Sequence, residues 1–306
     1  MAKFSLCFSL FAITVFLGYS QSNNTFSQQL QLQHDNDFIT LTDRYYSSGL
    51  YLRYRKLLSN PIFNEGTEQV EFSIQQEIYT PSQTKSTNID EFDRSYAGFV
   101  GLGFHWLHAK ENNLLKISAL AGIVGPNSGA GGFQRWYHNT LVISDPPIWV
   151  AELRDSFQFN LYSTYAKEWT LVPNPFGMRI ALLSHIALGT RDIYLEPELV
   201  LSFGRKAQLK NSIFFDLLGV HNHEIYFTLN AAYRNVIYNG IIEGNLFGDD
   251  SQVLRESQNA LLRFGFDFHN KFGQNNLKIG VRYNSRETLQ SKSHKYIILG
   301  YGYSFN

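Results

Sequence analysis

Cysteine, charge and long apolar runs are all scarce in this chain of 306 residues. Cys7 is its one cysteine, so the fold does not rely on a disulfide within the chain. Charged residues make up 17%, and 26 basic side chains balance 26 acidic ones. A protein that binds duplex nucleic acid normally carries a basic excess, so we expect no nucleic-acid partner. A mean hydropathy of −0.21 is too polar for a bundle of membrane helices, and no segment offers the roughly 20 consecutive apolar residues that one such helix needs.

The N-terminal segment has the pattern of a secretory signal peptide. Lys3 precedes a mostly apolar run over residues 4–17, and small and polar residues follow at 18–21. The run is too short to cross a bilayer as a helix, but it suits the apolar core of a signal peptide. We therefore expect a signal peptide over residues 1–20 and one exported domain over 21–306.

Aromatic residues and alternating polarity dominate the rest of the sequence. Phe, Tyr and Trp account for 15% of residues, and Trp106, Trp149 and Trp169 are expected at membrane interfaces, as in aromatic girdles. Apolar and polar residues alternate with the period of a strand that has two different faces. Twelve such runs occur: 26–38, 46–56, 69–80, 95–109, 113–124, 150–168, 176–188, 193–204, 223–239, 259–271, 275–286 and 294–305.

The length and number of these runs indicate a membrane barrel. Most exceed the about 5–6 residues usual in soluble sheets and approach the ~9–11 residues of a tilted membrane strand. An even number of strands is typical of bacterial outer-membrane barrels. The last run also places Tyr301, Tyr303 and Phe305 on one face. The sequence therefore predicts an all-β fold, a transmembrane antiparallel β-barrel of twelve strands, in which the connections 57–68 and 205–222 are unusually long for inner turns.

Oxygen-bearing side chains are concentrated between the first two runs. Asn36 and Asp37 lie near the end of the first run. Asp43 precedes the second run, and Ser47 lies at its start. Carboxylate, amide and hydroxyl oxygens are the ligands that calcium prefers. The same residue types are common in solvated loops, and their spacing is not that of an EF-hand. From the residues alone, a calcium site and an ordinary loop both stay open.

One histidine lies in a connection expected on the same side of the membrane. His138 belongs to the segment 125–149, which opens with the turn signal Gly125-Pro126. A neutral imidazole can act as a general base near neutral pH. The chain has 9 histidines, so position alone does not make this one catalytic.

In combination, these segments resemble the outer-membrane lipid A 3'-O-deacylase family. The resemblance runs from about Leu32 to Leu153, with a looser match onward. Each matching piece is short, but their order and spacing are fairly specific. The pieces are Asn36-Asp37, Asp43-Arg44-Tyr45-Tyr46-Ser47-Ser48-Gly49, Ile78-Tyr79-Thr80-Pro81, Asp93-Arg94-Ser95-Tyr96-Ala97, and Gly122-Ile123-Val124-Gly125-Pro126 followed by His138 and Trp149.

The resemblance implies a calcium-dependent hydrolase of the Gram-negative outer membrane. Such enzymes cleave the ester that holds the 3'-linked acyloxyacyl group on lipid A, with the active site facing the cell exterior, so the implied partners are lipopolysaccharide and outer-membrane lipids. By position, the family's catalytic histidine corresponds to His138. Its Asn-Asp pair corresponds to Asn36 and Asp37, which are also the expected calcium ligands. A family threonine corresponds to Ser47, which keeps the hydroxyl.

The chain departs from the family pattern at one acidic position. Some members have a functional Glu six residues after the histidine, where this chain has Ser144. The adjacent Asp145 can supply a carboxylate if the loop shifts. A basic residue in the second outer loop assists some members, and Lys85 is the nearest candidate.

Ester hydrolysis needs an activated water and a stabilised oxyanion. The expected mechanism has His138 taking a proton from water, calcium polarising the carbonyl, and Ser47 orienting the water, the substrate or the metal shell. One alternative is a catalytically silent barrel, supported by the missing Glu at position 144. Another is a barrel phospholipase, which would carry a His-x-Ser arrangement; the nearest triplet here is His138-Asn139-Thr140.

The phase of the first run suggests how a lipid reaches this site. Asn36 is in phase with Leu30 and Leu32, which are expected to face lipid. A lipid would then enter from the side of the barrel rather than through its lumen. Ser47 is out of phase with the leucines of the second run, although a β-bulge would break that alternation.

Overall fold

The computed structural model describes residues 26–37, 43–63, 65–141, 145–218 and 223–306. The expected signal peptide over 1–20 and the position of Ser144 lie outside these residues. Within the described ranges, no helix is both long and apolar enough to cross a membrane.

Twelve antiparallel strands form one closed barrel, which confirms the predicted fold class. Each strand pairs with its neighbours in sequence, and the first strand pairs with the last. The strands are β1 Gln28–Asn36, β2 Tyr45–Leu57, β3 Thr67–Thr80, β4 Ala97–Lys110, β5 Asn113–Val124, β6 Ser156–Val172, β7 Gly177–Gly189, β8 Asp192–Arg205, β9 Glu224–Asn239, β10 Ala260–Phe272, β11 Asn275–Asn284 and β12 His294–Phe305.

The polarity of the strands is inverted relative to a soluble protein. In β1, the side chains of Leu30 and Leu32 are 47% and 52% exposed, whereas Gln29 and Gln31 are buried in the lumen. Apolar residues facing outward and polar residues facing inward are the pattern of a membrane barrel. The alternation seen in the sequence therefore marks the lipid face and the lumen face of each strand.

Ion pairs fill much of the lumen. The buried guanidinium of Arg55 contacts the carboxylate of Glu71. Farther around the barrel, the carboxylate of Glu196 accepts hydrogen bonds from Arg234 at 2.5 Å and Arg263 at 3.0 Å. Pairing offsets part of the cost of taking these charges out of water. A polar cavity of about 330 Å³ remains toward the end of the barrel that carries the long connections, the loop end.

The connection between β8 and β9 folds into the barrel as an inner plug, residues 206–218. It lies at the terminal end, the end that carries both chain termini, and it contains two short 3-10 turns. Leu209, Ile213 and Leu217 of the plug are buried. They pack in one cluster with inward apolar residues of the wall, which include Leu107, Leu114, Ala166, Ala181, Val200 and Tyr226.

Polar contacts fix the inner plug to the wall. The Gln69 side chain donates to the backbone oxygen of Asp216 at 3.1 Å and accepts from the backbone N–H of Leu218 at 2.9 Å. The Glu224 carboxylate accepts from the backbone N–H groups of Ala207 and Ile213, both at 2.7 Å. The connection 205–222, which is too long for an inner turn, therefore contains a segment that packs inside the lumen.

The connection between β5 and β6 contains a helix that the sequence analysis did not predict. Helix α1 spans Ala130–Leu141. The sixth strand begins at Ser156, whereas the alternation predicted a start at residue 150. Trp149 and Ala151 have φ values of +57° and +50°, in the left-handed region, so the chain cannot extend as a strand there.

Candidate active site

Helix α1 lies across the outside of the barrel wall at the loop end. Gly98 of β4 faces outward, in phase with the exposed Leu102, and a Cβ there would lie 2.3 Å from the Cβ of Ala130. Near the other end of the helix, the ring of Tyr137 lies 6.0 Å from the ring of His34 in β1. The helix therefore passes over the outer face of the wall from β4 toward β1.

The side of α1 that faces the wall carries the polar residues of interest. Ala130, Gln134 and His138 are four residues apart, so they share one helix face, and all three are buried. On the wall, the outward-facing Ile78 is only 1% exposed, although Ile74 in the same phase is 54% exposed. The buried space between helix and wall is therefore outside the lumen.

Asp43 connects the two sides of this space. Its Oδ1 accepts hydrogen bonds from Ser47 Oγ at 2.6 Å and from Gln134 Nε2 at 2.9 Å. Its Oδ2 lies 3.1 Å from His138 Nε2. One carboxylate from the β1–β2 connection thus contacts a hydroxyl of β2, an amide of α1 and the imidazole of α1.

These contacts determine the protonation state of Asp43. Burial alone would raise the pKa of the Asp43 carboxyl, but hydrogen bonds from His138, Ser47 and Gln134 outweigh it and hold that pKa below its ordinary value. The ionised carboxylate is an acceptor, so His138 presents its Nε2–H to it. When such an imidazole is neutral and carries its hydrogen on Nε2, its basic lone pair is on Nδ1. An imidazole held by a carboxylate in this way can act as a general base.

Asn36 and Asp37 lie next to Asp43 and Ser47. The backbone N–H of Asp37 donates to the backbone carbonyl oxygen of Ser47 at 3.2 Å, and Asp37 Oδ2 accepts from the backbone N–H of Arg44 at 2.9 Å. Asn36 ends β1 and is paired with Ser48 of β2. The structure therefore brings the segments containing Asn36–Asp37, Ser47 and His138 into one site.

A bulge explains the orientation of Ser47. The register between β2 and β3 shifts between Tyr46 and Ser48. An extra residue in one strand breaks the alternation and redirects the side chain. Ser47 consequently turns toward Asp43 and Gln134, where simple alternation would have pointed it into the lumen.

The chemistry of the donor atoms suits a hard cation. Asn36 and Asp37 offer amide and carboxylate oxygens, which calcium prefers, and its shell of roughly 6–8 oxygens is usually completed by carbonyls and water. In the described ranges, no group of three or more His, Cys, Asp or Glu side chains is placed to hold a metal ion. A calcium ion here would therefore depend on backbone, water or substrate oxygens besides these two residues.

The supporting residues proposed from the sequence lie toward the edge of the site. The exposed Lys85 contacts the backbone oxygen of Asp145 and donates to that of Pro146 at 3.2 Å. Asp145 itself is exposed. Lys85 therefore ties the second outer connection to the chain that follows α1. Ser144 is outside the described residues.

Three residues of the site were missed as functional candidates. Asp43 appeared among the oxygen-bearing side chains and in a motif, but not as the partner of the histidine. Gln134 had one available signal, its place one helical turn before His138. Trp149 was expected near a membrane interface, and the structure shows which residues it contacts. Its ring packs on Tyr96 with centroids 5.1 Å apart, and its Nε1 donates to Gln134 Oε1 at 2.7 Å.

Several solved structures of outer-membrane barrels are similar to this chain in fold. LpxR from Salmonella typhimurium matches with a TM-score of 0.76 and 16% identity, over 90% of this chain and 100% of that chain. The β domain of the Bordetella autotransporter Brka gives a TM-score of 0.45 and 9% identity, over 92% and 100% of the two chains. The translocator domain of autotransporter NalP from Neisseria meningitidis gives 0.40 and 10%, over 99% and 96%.

The family comparison is more specific than the structural one. No curated protein sequence matches the chain significantly. The family model described as outer membrane protein LpxR matches residues 4–305, nearly the whole chain. This match confirms the family resemblance found in the sequence motifs. The chain therefore belongs to the outer membrane protein LpxR family.

Proposed function

We propose that this protein is an outer-membrane lipid A deacylase that hydrolyses the ester of the 3'-linked acyloxyacyl group. Family membership and the ordered motifs support the substrate class. The contact of Asp43 with His138, 3.1 Å between Oδ2 and Nε2, is the observation that supports hydrolysis. A passive pore or a purely structural barrel has no need of an oriented imidazole in a buried space outside the lumen.

In the proposed reaction, His138 acts as the general base. Its Nδ1 takes a proton from water while the water oxygen bonds to the ester carbonyl carbon and the carbonyl electrons move to oxygen. The Asp43 carboxylate stabilises the resulting imidazolium. The imidazolium then returns the proton to the sugar oxygen as the ester C–O bond breaks, which releases a carboxylic acid and a free hydroxyl.

The oxyanion requires positive charge or hydrogen-bond donors. A calcium ion held by Asn36 and Asp37 would supply that charge by polarising the ester carbonyl. Asn36 is suited to this role because it shares the outward phase of β1 and pairs with Ser48 of β2. Asp37 directly follows the strand, and its backbone N–H donates to the backbone oxygen of Ser47.

Ser47 is assigned a positioning role and no covalent one. A nucleophilic serine needs a base that accepts its proton. The Ser47 hydroxyl donates to Asp43, whose lowered pKa makes it a weak base. Ser47→Ala is therefore expected to retain part of the activity, whereas His138→Ala should retain almost none. Equal losses would instead indicate a covalent serine route.

The location of the site suggests lateral entry of the lipid from the outer leaflet. Asn36 shares the outward phase of Leu32 and its apolar neighbours. Trp136 of α1 is 59% exposed, and Phe133 packs beside it with ring centroids 5.6 Å apart. These groups offer an apolar surface to acyl chains, while the inner plug packs inside the lumen at the terminal end. We place the site on the exterior side of the membrane.

Mass spectrometry of lipid A from cells that express the protein tests the proposal. Loss of the 3' acyloxyacyl mass is expected with the unmodified protein and with Asn139→Ala, an exposed neighbour on α1 that serves as the matched control. His138→Ala and calcium chelation should both leave lipid A intact. Intact lipid A in every sample, with the barrel folded in the membrane, would contradict the proposal and favour a silent barrel. Release of fatty acid from phospholipids alone would favour a barrel phospholipase.

A further inference from the structure

The hydrogen bond between Trp149 and Gln134 fixes the direction of an amide. An indole N–H can only donate, so the Gln134 atom that faces it at 2.7 Å must be the carbonyl oxygen. The amide NH2 group then faces Asp43 Oδ1 at 2.9 Å and Ser47 Oγ at 3.3 Å. A flipped amide would place oxygen against the carboxylate and NH2 against the indole N–H, which are two repulsive contacts.

Trp149 is itself held in place from both sides. Its ring packs on Tyr96, whose hydroxyl donates to the backbone oxygen of Thr84 at 3.1 Å. On the other side lies Gly131 of α1, where a Cβ would come within 2.9 Å of the indole. The backbone of Trp149 has φ of +57°, a strained conformation that persists only where surrounding contacts enforce it.

From these contacts we infer that Trp149 is a positioning residue, which acts through the Gln134 amide to orient the Asp43 carboxylate toward His138. Gln134 and Ser47 both donate to Oδ1 of Asp43 and thereby leave Oδ2 directed at the imidazole. Loss of the indole N–H frees the amide to turn and removes one of these donors. This inference rests on the proposed function for its kinetic test, but not for its structural one.

The structural test uses the protein labelled with ¹⁵N-tryptophan and folded in detergent micelles. The indole N–H of Trp149 should exchange slowly with solvent, and Gln134→Ala should remove that protection. Trp149→Phe assigns the signal. An indole N–H that exchanges equally fast with and without Gln134 would overturn the inference, whether or not the protein hydrolyses lipid A.

The kinetic test compares kcat and KM for lipid A. Trp149→Phe keeps the ring on Tyr96 but lacks the N–H, so kcat should fall roughly 10- to 100-fold, because small displacements of catalytic groups have effects of this size. KM should stay near its starting value, and Trp169→Phe should leave both unchanged. Trp149→Phe combined with Gln134→Ala should be no slower than Gln134→Ala alone, since both remove the same interaction.

Two kinetic outcomes would contradict the inference. One is an unchanged kcat in Trp149→Phe, and the other is losses in the two single variants that simply multiply in the double variant. If Trp149→Phe fails to fold, Gln134→Leu gives the second test, since it should show the same fall in kcat with the tryptophan intact. If the unmodified protein does not hydrolyse lipid A, the proposed function fails, and the exchange measurement still decides the inference.

Discussion

A single methyl group at position 98 should disable the site without disturbing the barrel. Gly98 of β4 is the point on the outer wall against which α1 begins. A Cβ there would lie 2.1 Å from Ser128 Oγ and 2.3 Å from the Cβ of Ala130. The serine hydroxyl can rotate away, but the alanine Cβ is fixed to the helix backbone. The start of α1 must therefore move in Gly98→Ala.

The size of the movement follows from the contact distance. Two carbon atoms in contact are separated by at least about 3.5 Å, so the Ala130 Cβ at 2.3 Å must retreat by about 1.2 Å. His138 lies on the same face of the helix and moves with it. A misplacement of about 1 Å can cost on the order of 100-fold in rate. Overpacking of this kind costs about 1–3 kcal/mol of folding stability. Replacing Gly by Ala within a strand has the opposite effect and stabilises by roughly 0.5–1 kcal/mol.

The assay measures lipid A deacylation in membranes alongside heat-modifiable migration of the barrel on gels. Gly98→Ala should reduce the rate by on the order of 100-fold and still migrate as a folded barrel. Gly132→Ala is the matched control, because a Cβ at this exposed position of α1 meets nothing within 4 Å. It should keep full activity. A full rate in Gly98→Ala would refute the argument that helix position on the wall controls the imidazole.

Three further predictions concern other parts of the molecule. Asp43→Asn should lower kcat strongly. Because the pKa of Asp43 is depressed, the stabilisation that this carboxylate gives the folded state is present above the ordinary Asp pKa of about 4 and is lost as pH falls through the lower folded pKa. Thermal unfolding of the unmodified protein and of Asp43→Asn at a series of acidic pH values checks this. Burial raises the pKa of Glu152 to about 7, so the folded state holds the Glu152 proton more tightly than the unfolded chain does. The stability of the unmodified protein should therefore fall as pH rises from about 4.5 toward 7. Glu152→Gln should remove this dependence in melting experiments between pH 5 and 8, and an unchanged dependence would contradict the prediction. Planar-bilayer recordings should show little conductance for the intact protein and steady conductance once residues 207–217 of the inner plug are replaced by a short Gly-Ser linker, whereas an open intact barrel would show that the plug does not seal it.

Most of the barrel could be predicted because alternation is a local property. Each strand has a lipid face and a lumen face, so its apolar residues recur every second position and can be counted without knowing the partners. The predicted start of the sixth strand was wrong, in a connection outside the strands. Residues 150–155 alternate adequately, but left-handed backbone at Trp149 and Ala151 prevents a strand, and no composition signal announces such a conformation.

The site was only partly predictable because its central carboxylate depends on tertiary contacts. His138 and the Asn36–Asp37 pair emerged from motif order. Asp43 becomes important only once α1 lies on the outer wall, and that placement depends on the absence of a side chain at Gly98. The inner plug was visible only as a connection of unusual length, because its partners, such as Gln69, are distant in sequence.

The substitution at position 144 bears on whether the site is active. The absence of a Glu six residues after the histidine was the main argument for a silent barrel. Asp43, however, supplies His138 with a carboxylate from the β1–β2 connection, and three donors hold that carboxylate ionised. The acid that orients the imidazole therefore does not have to come from position 144. A silent barrel would also have no use for a buried carboxylate whose hydrogen bonds direct one oxygen at a histidine. Apolar side chains in its place would pack α1 on the wall without the desolvation cost of a buried charge.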